Sequence, residues 1–390
     1  MADKAYITPK VLKWARESAK ISEEAAASKI PVPIERLKEW ENGTSQPTIR
    51  QAQTLAKAYK RPFALLFLPE IPKDFQPLQD YRKAGAKNLS TSSIFIIREI
   101  QQKQSWIKEV NEENKEGKLS FVGKFSIADK AEIVANDILA TLKIDPLRYK
   151  TENPIREWIE KTEANGIFIS RTSFIHSKLK LDSEEIQGFA IADPYAPFIF
   201  INSDDWNSAQ LFTLVHELAH IWIAETGLSN EIEADLKSKD KYHPVELFCN
   251  DVAANALMPL SYMITLDKVV FGNSKEIFKI SKSLGVSSFS FLVRALNLNL
   301  IDVKLYQKLR KEADMEYKLF LKREEEKKAK QKEREGGPNP YLLRLNKNSR
   351  LFTQIVLDAF RSGSVEPTQA SFLLNTPINK FSSLESQLYS

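Results

Sequence analysis

Apolar residues recur at helical spacing through most of this chain, and at strand spacing in only three short runs. Residues 8–68 read as five short helices. Pro9 opens the first, where Val11, Leu12 and Ala15 supply the apolar face. Ser22 is placed to cap a second through Ala27. The break Ile30-Pro-Val-Pro33 feeds a third, Ile34 to Glu41, which Asn42-Gly43 stops. Thr48 to Tyr59 carries Ala52, Leu55, Ala56 and Tyr59 on one face. Pro62 then opens Phe63 to Leu68.

Pro69, Pro72 and Pro77 mark a boundary. Beyond it the pattern predicts a polar helix over 91–115, with Ile96, Ile97, Ile100 and Ile107 as its apolar positions. Further helices are predicted over 129–142 and 154–165, the latter stopped by Gly166. Strands follow at Ile167–Ser170, Gly188–Ala192 and Phe198–Ile201. Helical spacing returns at Ser208–Ile223, Val245–Met258 and in a helix-turn-helix-like stretch over 274–296, read as structural. Residues 311–335 are a dense charge run, read as a solvated helix or linker. After Gly336-Gly-Pro338 the pattern gives one amphipathic helix, Leu351–Arg361, and a second short one past Gly363. The fold class expected is mainly α with a small β-sheet (α+β).

The 390 residues suffice for two or three domains, and 43% hydrophobic content can fill their cores. A net charge of +5, from 56 basic and 51 acidic residues, permits nucleic-acid contact without arguing for it. A single cysteine excludes an internal disulfide and fits a reducing compartment. The N-terminus lacks the apolar core of a signal peptide, and no apolar run approaches the length of a membrane span. A cytoplasmic protein with no membrane partner is expected.

Candidate chemistry centres on residues 216–220, HELAH. His216 and His220 stand four apart, about one helical turn, so both imidazoles project from one face. That pair can grip a zinc ion, with Glu217 beside it to polarise a bound water. The chain has only four histidines. Leu211, Phe212, Leu214, Val215, Leu218 and Trp222 surround the motif with apolar surface. A catalytic zinc wants a third protein ligand. Glu246, heading the helical run ELFCNDVAANALMP, can fill that role, or can simply complement the positive end of its helix. Asn250, one turn later, can hydrogen-bond the far nitrogen of a zinc-bound histidine, or make an ordinary mid-helix contact. Residues 224–243 read as a surface loop between the two helices. Cys249 reads as core, with a redox switch as the alternative. His243, Tyr242, Tyr262 and His176 are the candidates for an oxyanion stabiliser, and nothing ranks them. The strand over 187–192 can dock an extended substrate by edge pairing.

Two resemblances extend this. FTLVHELAH together with ELFCNDVAANALMP resembles the ImmA/IrrE family of gluzincin-like zinc metallopeptidases, over residues 126–305. The resemblance implies a zincin-like fold with one Zn2+ per chain, His216, His220 and Glu246 as ligands, and Glu217 as general base. Residues 11–68, through LKWARE, RLKEWENG and PTIRQAQTLAKAY, resemble the lambda-repressor-like (XRE) helix-turn-helix domain. There the third helix reads the major groove, which implies Arg36, Lys38, Thr44 and Arg50 as DNA contacts. Glu35 and Ile34 depart from a strong reader, so a retained fold that binds protein, including a second copy of itself as a homodimer, is the alternative. With the run PLQDYRK at 77–83, the order resembles fusions found with phage and toxin–antitoxin loci. The domains expected are 8–70 (helix-turn-helix), 71–125 (linker and connector helix), 126–305 (zinc peptidase), 306–338 (charged linker) and 339–390 (helical tail). The function implied is a zinc endopeptidase that cleaves a regulatory protein, a repressor or toxin–antitoxin component, under a domain for double-stranded DNA. The alternative is a DNA-binding regulator or antitoxin whose peptidase-like domain binds a partner without cutting it.

Overall fold

The computed structural model describes residues 3–72, 78–81, 88–176, 179–229, 243–318 and 339–390, with His176 described in its backbone only. Tyr242, most of the loop expected over 224–243, and much of the 311–335 charge run lie outside the described residues. The chain divides into two compact units. One comprises Met1–Pro77, Lys87–Gln101 and Ile175–Lys180. The other comprises Leu78–Ala86, Gln102–Phe174 and Leu181–Ser390.

The first unit opens with helices α1 (Pro9–Ser18), α2 (Glu23–Lys29), α3 (Ile34–Asn42) and α4 (Ile49–Ala58), then a 3-10 turn at Phe63–Phe67. Ser22 caps α2 by accepting from the Ala25 amide at 3.2 Å. Gly43 ends α3 in the left-handed region at φ +80°, a conformation cheap only for glycine. Thr48 and Gln51 form a reciprocal capping box on α4. The apolar stripes converge on a core of Leu12, Ala15, Leu37, Trp40, Ala52, Leu55 and Tyr59. Within it Arg16 and Glu41 make a buried bidentate pair at 2.7 and 2.8 Å. Helix α5 (Thr91–Glu113), predicted over 91–115, follows; its residues to Gln101 are counted with this unit and the rest with the second.

The second unit is built on a mixed five-stranded sheet. Its strands are β1 (Gln79–Asp80), β2 (Phe168–Thr172), β5 (Gly188–Ile191), β6 (Phe198–Asn202) and β7 (Gly227–Ser229); β3 (Phe174–His176) and β4 (Leu179–Lys180) form a separate pair that, from Ile175 on, is counted with the first unit. The order is β1-β7-β5-β6-β2. β5 runs antiparallel to both β6 and β7, while β1 lies parallel to β7 and β2 parallel to β6. The expectation that residues 187–192 offer a free edge to substrate is therefore overturned. β5 is interior, its outer side taken by β7 of the same chain. β7 has no counterpart among the predicted strands, because a strand of three residues has too little alternation to register.

Helices α6 (Ala131–Leu142), α7 (Pro154–Ala164), α8 (Asn207–Trp222), α9 (Pro244–Leu257), α10 (Leu260–Met263), α11 (Ser274–Leu284) and α12 (Ser288–Asn297) pack about this sheet. α8 is buried along its length from Gln210 to Trp222. It approaches β5 closely at Gly188, where a Cβ would lie 2.6 Å from Thr213 Cγ2 and 2.8 Å from Glu217 Oε1. The helix-turn-helix-like stretch is α11 and α12, joined at Gly285 and packed into the same core, the structural role expected of it.

The tail contains more than the two helices the pattern predicts. α13 (Pro340–Asn348), α14 (Arg350–Arg361), α15 (Pro367–Leu373) and α16 (Phe381–Leu388) are all helical. Pro340 opens α13 directly after the segment read as linker, and Ser349, at φ +77°, turns the chain and caps α14. α13 lies against β2, where Ser170 Oγ donates to the Lys347 carbonyl at 2.6 Å.

Candidate metal centre

α8 delivers His216, Glu217 and His220, and α9 delivers Glu246 and Asn250. The two helices pack against one another. Among the described residues, His216, His220 and Glu246 form a group whose ligand atoms all lie within 4.8 Å of one another. Their contacts are tighter than that bound. His216 Nε2 is 3.1 Å from His220 Nε2 and 3.3 Å from Glu246 Oε2, and His220 Nε2 is 3.1 Å from Glu246 Oε1.

These distances match a metal site. Three donors about 2.0–2.1 Å from one tetrahedral ion lie roughly 3.3 Å apart. Hydrogen bonding alone serves them poorly. His216 Nδ1–H donates to Asn250 Oδ1 at 2.9 Å, which leaves its Nε2 as a bare lone pair. That lone pair faces a second imidazole nitrogen and a carboxylate. At most one proton on His220 Nε2 can serve all three acceptors. A cation satisfies them together, so the donor set fits a metal and the Asn250 contact fits the orientation of its histidine.

The charges agree. Burial holds the His220 imidazole below its usual value and so neutral, the form that binds metal. Burial also disfavours charge on Glu246, but the charge and hydrogen bonds that the two facing imidazoles supply when protonated outweigh it and hold the carboxyl well below its usual range. Ser229 Oγ donates to Glu246 Oε1 at 3.4 Å. Burial first, and the Glu246 charge second, push Glu217 well above the ordinary carboxylate range. Neither Glu217 oxygen has a hydrogen-bond partner. Buried, unpaired carboxylates are costly, and such groups concentrate at functional sites. His216, Glu217 and His220 are 0% exposed and Glu246 is 2% exposed, so the centre is sealed from solvent.

The other candidates separate. His243 is the N-cap of α9, accepting from the Val245 amide at 3.3 Å, with its ring 4.9 Å from that of Tyr81. Tyr262 is half-buried just past the end of α9, and the side chain of His176 is not described. Cys249 is buried and unpaired, its thiol pushed up by burial, as a core cysteine and not a poised thiolate. Three residues near the centre went unread in the sequence. Ser229 and Gly188 carry no local signal. Tyr81 falls within PLQDYRK, a run noted only as part of the fused domain order and given no role at the centre.

In the first unit, α2 and α3 flank the turn at residues 30–33. Arg36 is exposed on α3 and reaches Glu39 at 2.7 Å. Lys38 reaches Glu23 at 3.3 Å. Thr44 Oγ1 donates to the Glu39 carbonyl just past the end of α3. Arg50 is exposed on the first turn of α4. Acidic neighbours thus engage two of the four expected contacts.

Residues 162–296 match a peptidase family model described as the IrrE N-terminal-like domain. Residues 12–66 match a helix-turn-helix family. No curated protein matches the chain. Among the described residues, no helix is long and apolar enough to cross a membrane.

Proposed function

Starting from a chain that joins a helix-turn-helix domain to an IrrE/ImmA-like peptidase domain, we propose a zinc-dependent endopeptidase that cleaves a regulatory protein acting with it on DNA. The observation that carries this reading is the sealed convergence of His216, His220 and Glu246 beside a Glu217 carboxylate with no other partner. Two imidazoles and one carboxylate suit zinc and leave a coordination position open. Zinc held there supplies Lewis-acid polarisation and brings the pKa of a water down toward about 7.

The remaining steps belong to the chain. Glu217 accepts the proton of the attacking water and passes it to the departing amine of the peptide. Its displaced proton affinity suits a group that must hold a proton between those events. Asn250 keeps His216 in the Nδ1–H tautomer, so Nε2 faces the centre. α8 and β5 are locked together at Gly188, which fixes the height of Glu217 above the sheet. The helix-turn-helix domain supplies the targeting: we propose that Arg36, Lys38, Thr44 and Arg50 contact double-stranded DNA, Arg36 and Lys38 after exchanging Glu39 and Glu23 for phosphate.

The sealing of the centre also favours a second reading, in which the domain grips a partner and never cuts it. One experiment separates them. The purified protein carries about one zinc per chain, and Glu217→Gln keeps that zinc while slowing cleavage of the cognate regulator by about 10²–10⁴-fold. The regulator to incubate first is the product of the neighbouring gene. Zinc present with no cleavage by wild type refutes the peptidase reading and leaves the binding one, whereas equal cleavage by Glu217→Gln refutes Glu217 as the general base.

A further inference from the structure

We propose that Tyr81 is a positioning residue of the metal centre, brought into it by strand β1 from outside the matched peptidase domain. The proposal rests on reading His216, His220 and Glu246 as metal ligands.

The two histidines are held differently. His216 has its far nitrogen tied to Asn250. His220 Nδ1 is buried and has no hydrogen-bond partner. Packing must therefore set its ring plane. Tyr81 supplies that packing: its ring stacks on the His220 imidazole with centroids 5.7 Å apart and planes 21° apart. On its other contact it leans against the His243 ring, 4.9 Å away. Its hydroxyl donates to Glu225 Oε2 at 2.5 Å, and the Glu225 amide donates to the His220 carbonyl at 2.9 Å. Tyr81 thus braces both the imidazole and the backbone of one ligand.

The surrounding backbone is shaped to receive the ring. Tyr81 N donates to the Leu228 carbonyl at 3.2 Å, which continues the β1–β7 pairing. At Gly227 a Cβ would stand 2.2 and 2.4 Å from Tyr81 ring carbons. Any side chain there displaces the ring. A tyrosine that merely filled space would be replaceable by another residue of similar bulk. One that sets the plane of His220 requires a flat face.

The test uses the full-length chain, stripped with a chelator and reloaded with zinc or cobalt(II). Zinc affinity is read by competition with a chromophoric chelator, and ligand geometry by the cobalt absorption band. Tyr81→Leu keeps an apolar side chain, though a smaller one, and loses the flat face. It is expected to fold as wild type, bind zinc about 10–100-fold more weakly and shift the cobalt band. Tyr81→Phe is expected to restore the band. Gly227→Ala is expected to weaken zinc binding in wild type and to do so far less in the Tyr81→Leu background, because the ring it displaces is gone. Wild-type zinc affinity and cobalt spectrum in Tyr81→Leu overturn the proposal. So does a Gly227→Ala effect of equal size in both backgrounds. A wild type that takes up no metal overturns the metal reading itself, and this role with it.

Discussion

Glu163, at the end of α7, gives a pH dependence whose sign and size follow from its surroundings. It is buried, and it accepts hydrogen bonds from Ser349 Oγ at 2.5 Å and from the Arg350 amide at 3.0 Å. These anchor the tail at the first turn of α14. Burial nevertheless outweighs the hydrogen bonds and raises its carboxyl from the ordinary 4.5 to about 7. The folded state therefore holds a proton that the unfolded chain has released. The stabilisation is fully present below about pH 4.5 and is lost as pH rises through about 7. A difference near 2.5 units corresponds to about 3 kcal/mol. Urea unfolding of wild type and Glu163→Gln over that range isolates the contribution, since glutamine does not titrate. Wild type is expected to lose about 3 kcal/mol relative to Glu163→Gln between pH 4.5 and 7.5. A stability difference that stays flat across the range refutes the reasoning, and shows the hydrogen bonds from α14 to be stronger than the burial they oppose.

Gly188→Ala forces a methyl against Thr213 and Glu217, with the Phe200 carbonyl 3.1 Å behind it. It is expected to destabilise the second unit by about 1–3 kcal/mol and to lower peptidase activity by more than unfolding accounts for, checked by thermal unfolding alongside turnover. Arg16→Ala leaves Glu41 buried without its bidentate partner, burial having been offset in the pair by their hydrogen bond. The first unit should lose about 3–5 kcal/mol, and the Arg16→Met, Glu41→Leu double variant should recover most of it in denaturant titrations. Arg50→Ala should weaken binding to a duplex from the chain's own promoter and reduce the slope of log affinity against log salt by about 1, so an unchanged slope moves the contact elsewhere.

Much of the helix-turn-helix unit was legible because each of its elements carries its own punctuation. Pro9, Ser22 and Gly43 act within one or two turns, and the structure uses each as the pattern implies. The His216–His220 pair was legible for the same reason, since four residues on a helix fix a direction locally. Glu246 was ambiguous from spacing alone, because the α8–α9 packing that brings it to 3.1 Å of His220 is not written in either helix. β1 and β7 were invisible: strands of two and three residues have no periodicity, and their pairing depends on partners far along the chain. The edge-docking expectation for 187–192 failed through that same omission. Tyr81 was missed because a lone aromatic after a proline-rich boundary looks like any linker residue until β7 is in place. In the tail, α13 was hidden by the linker-like residues before it.

The β1–β7 pairing has a consequence in time. Tyr81 and Glu225 lie 144 residues apart in the chain. At roughly 5–20 residues per second of synthesis, the half-made protein waits about 7–30 s between them. During that interval the helix-turn-helix unit up to the 3-10 turn can emerge complete, while Tyr81 waits for both of its partners, His220 and Glu225. The order of manufacture thus lets the helix-turn-helix unit form before the metal centre can close.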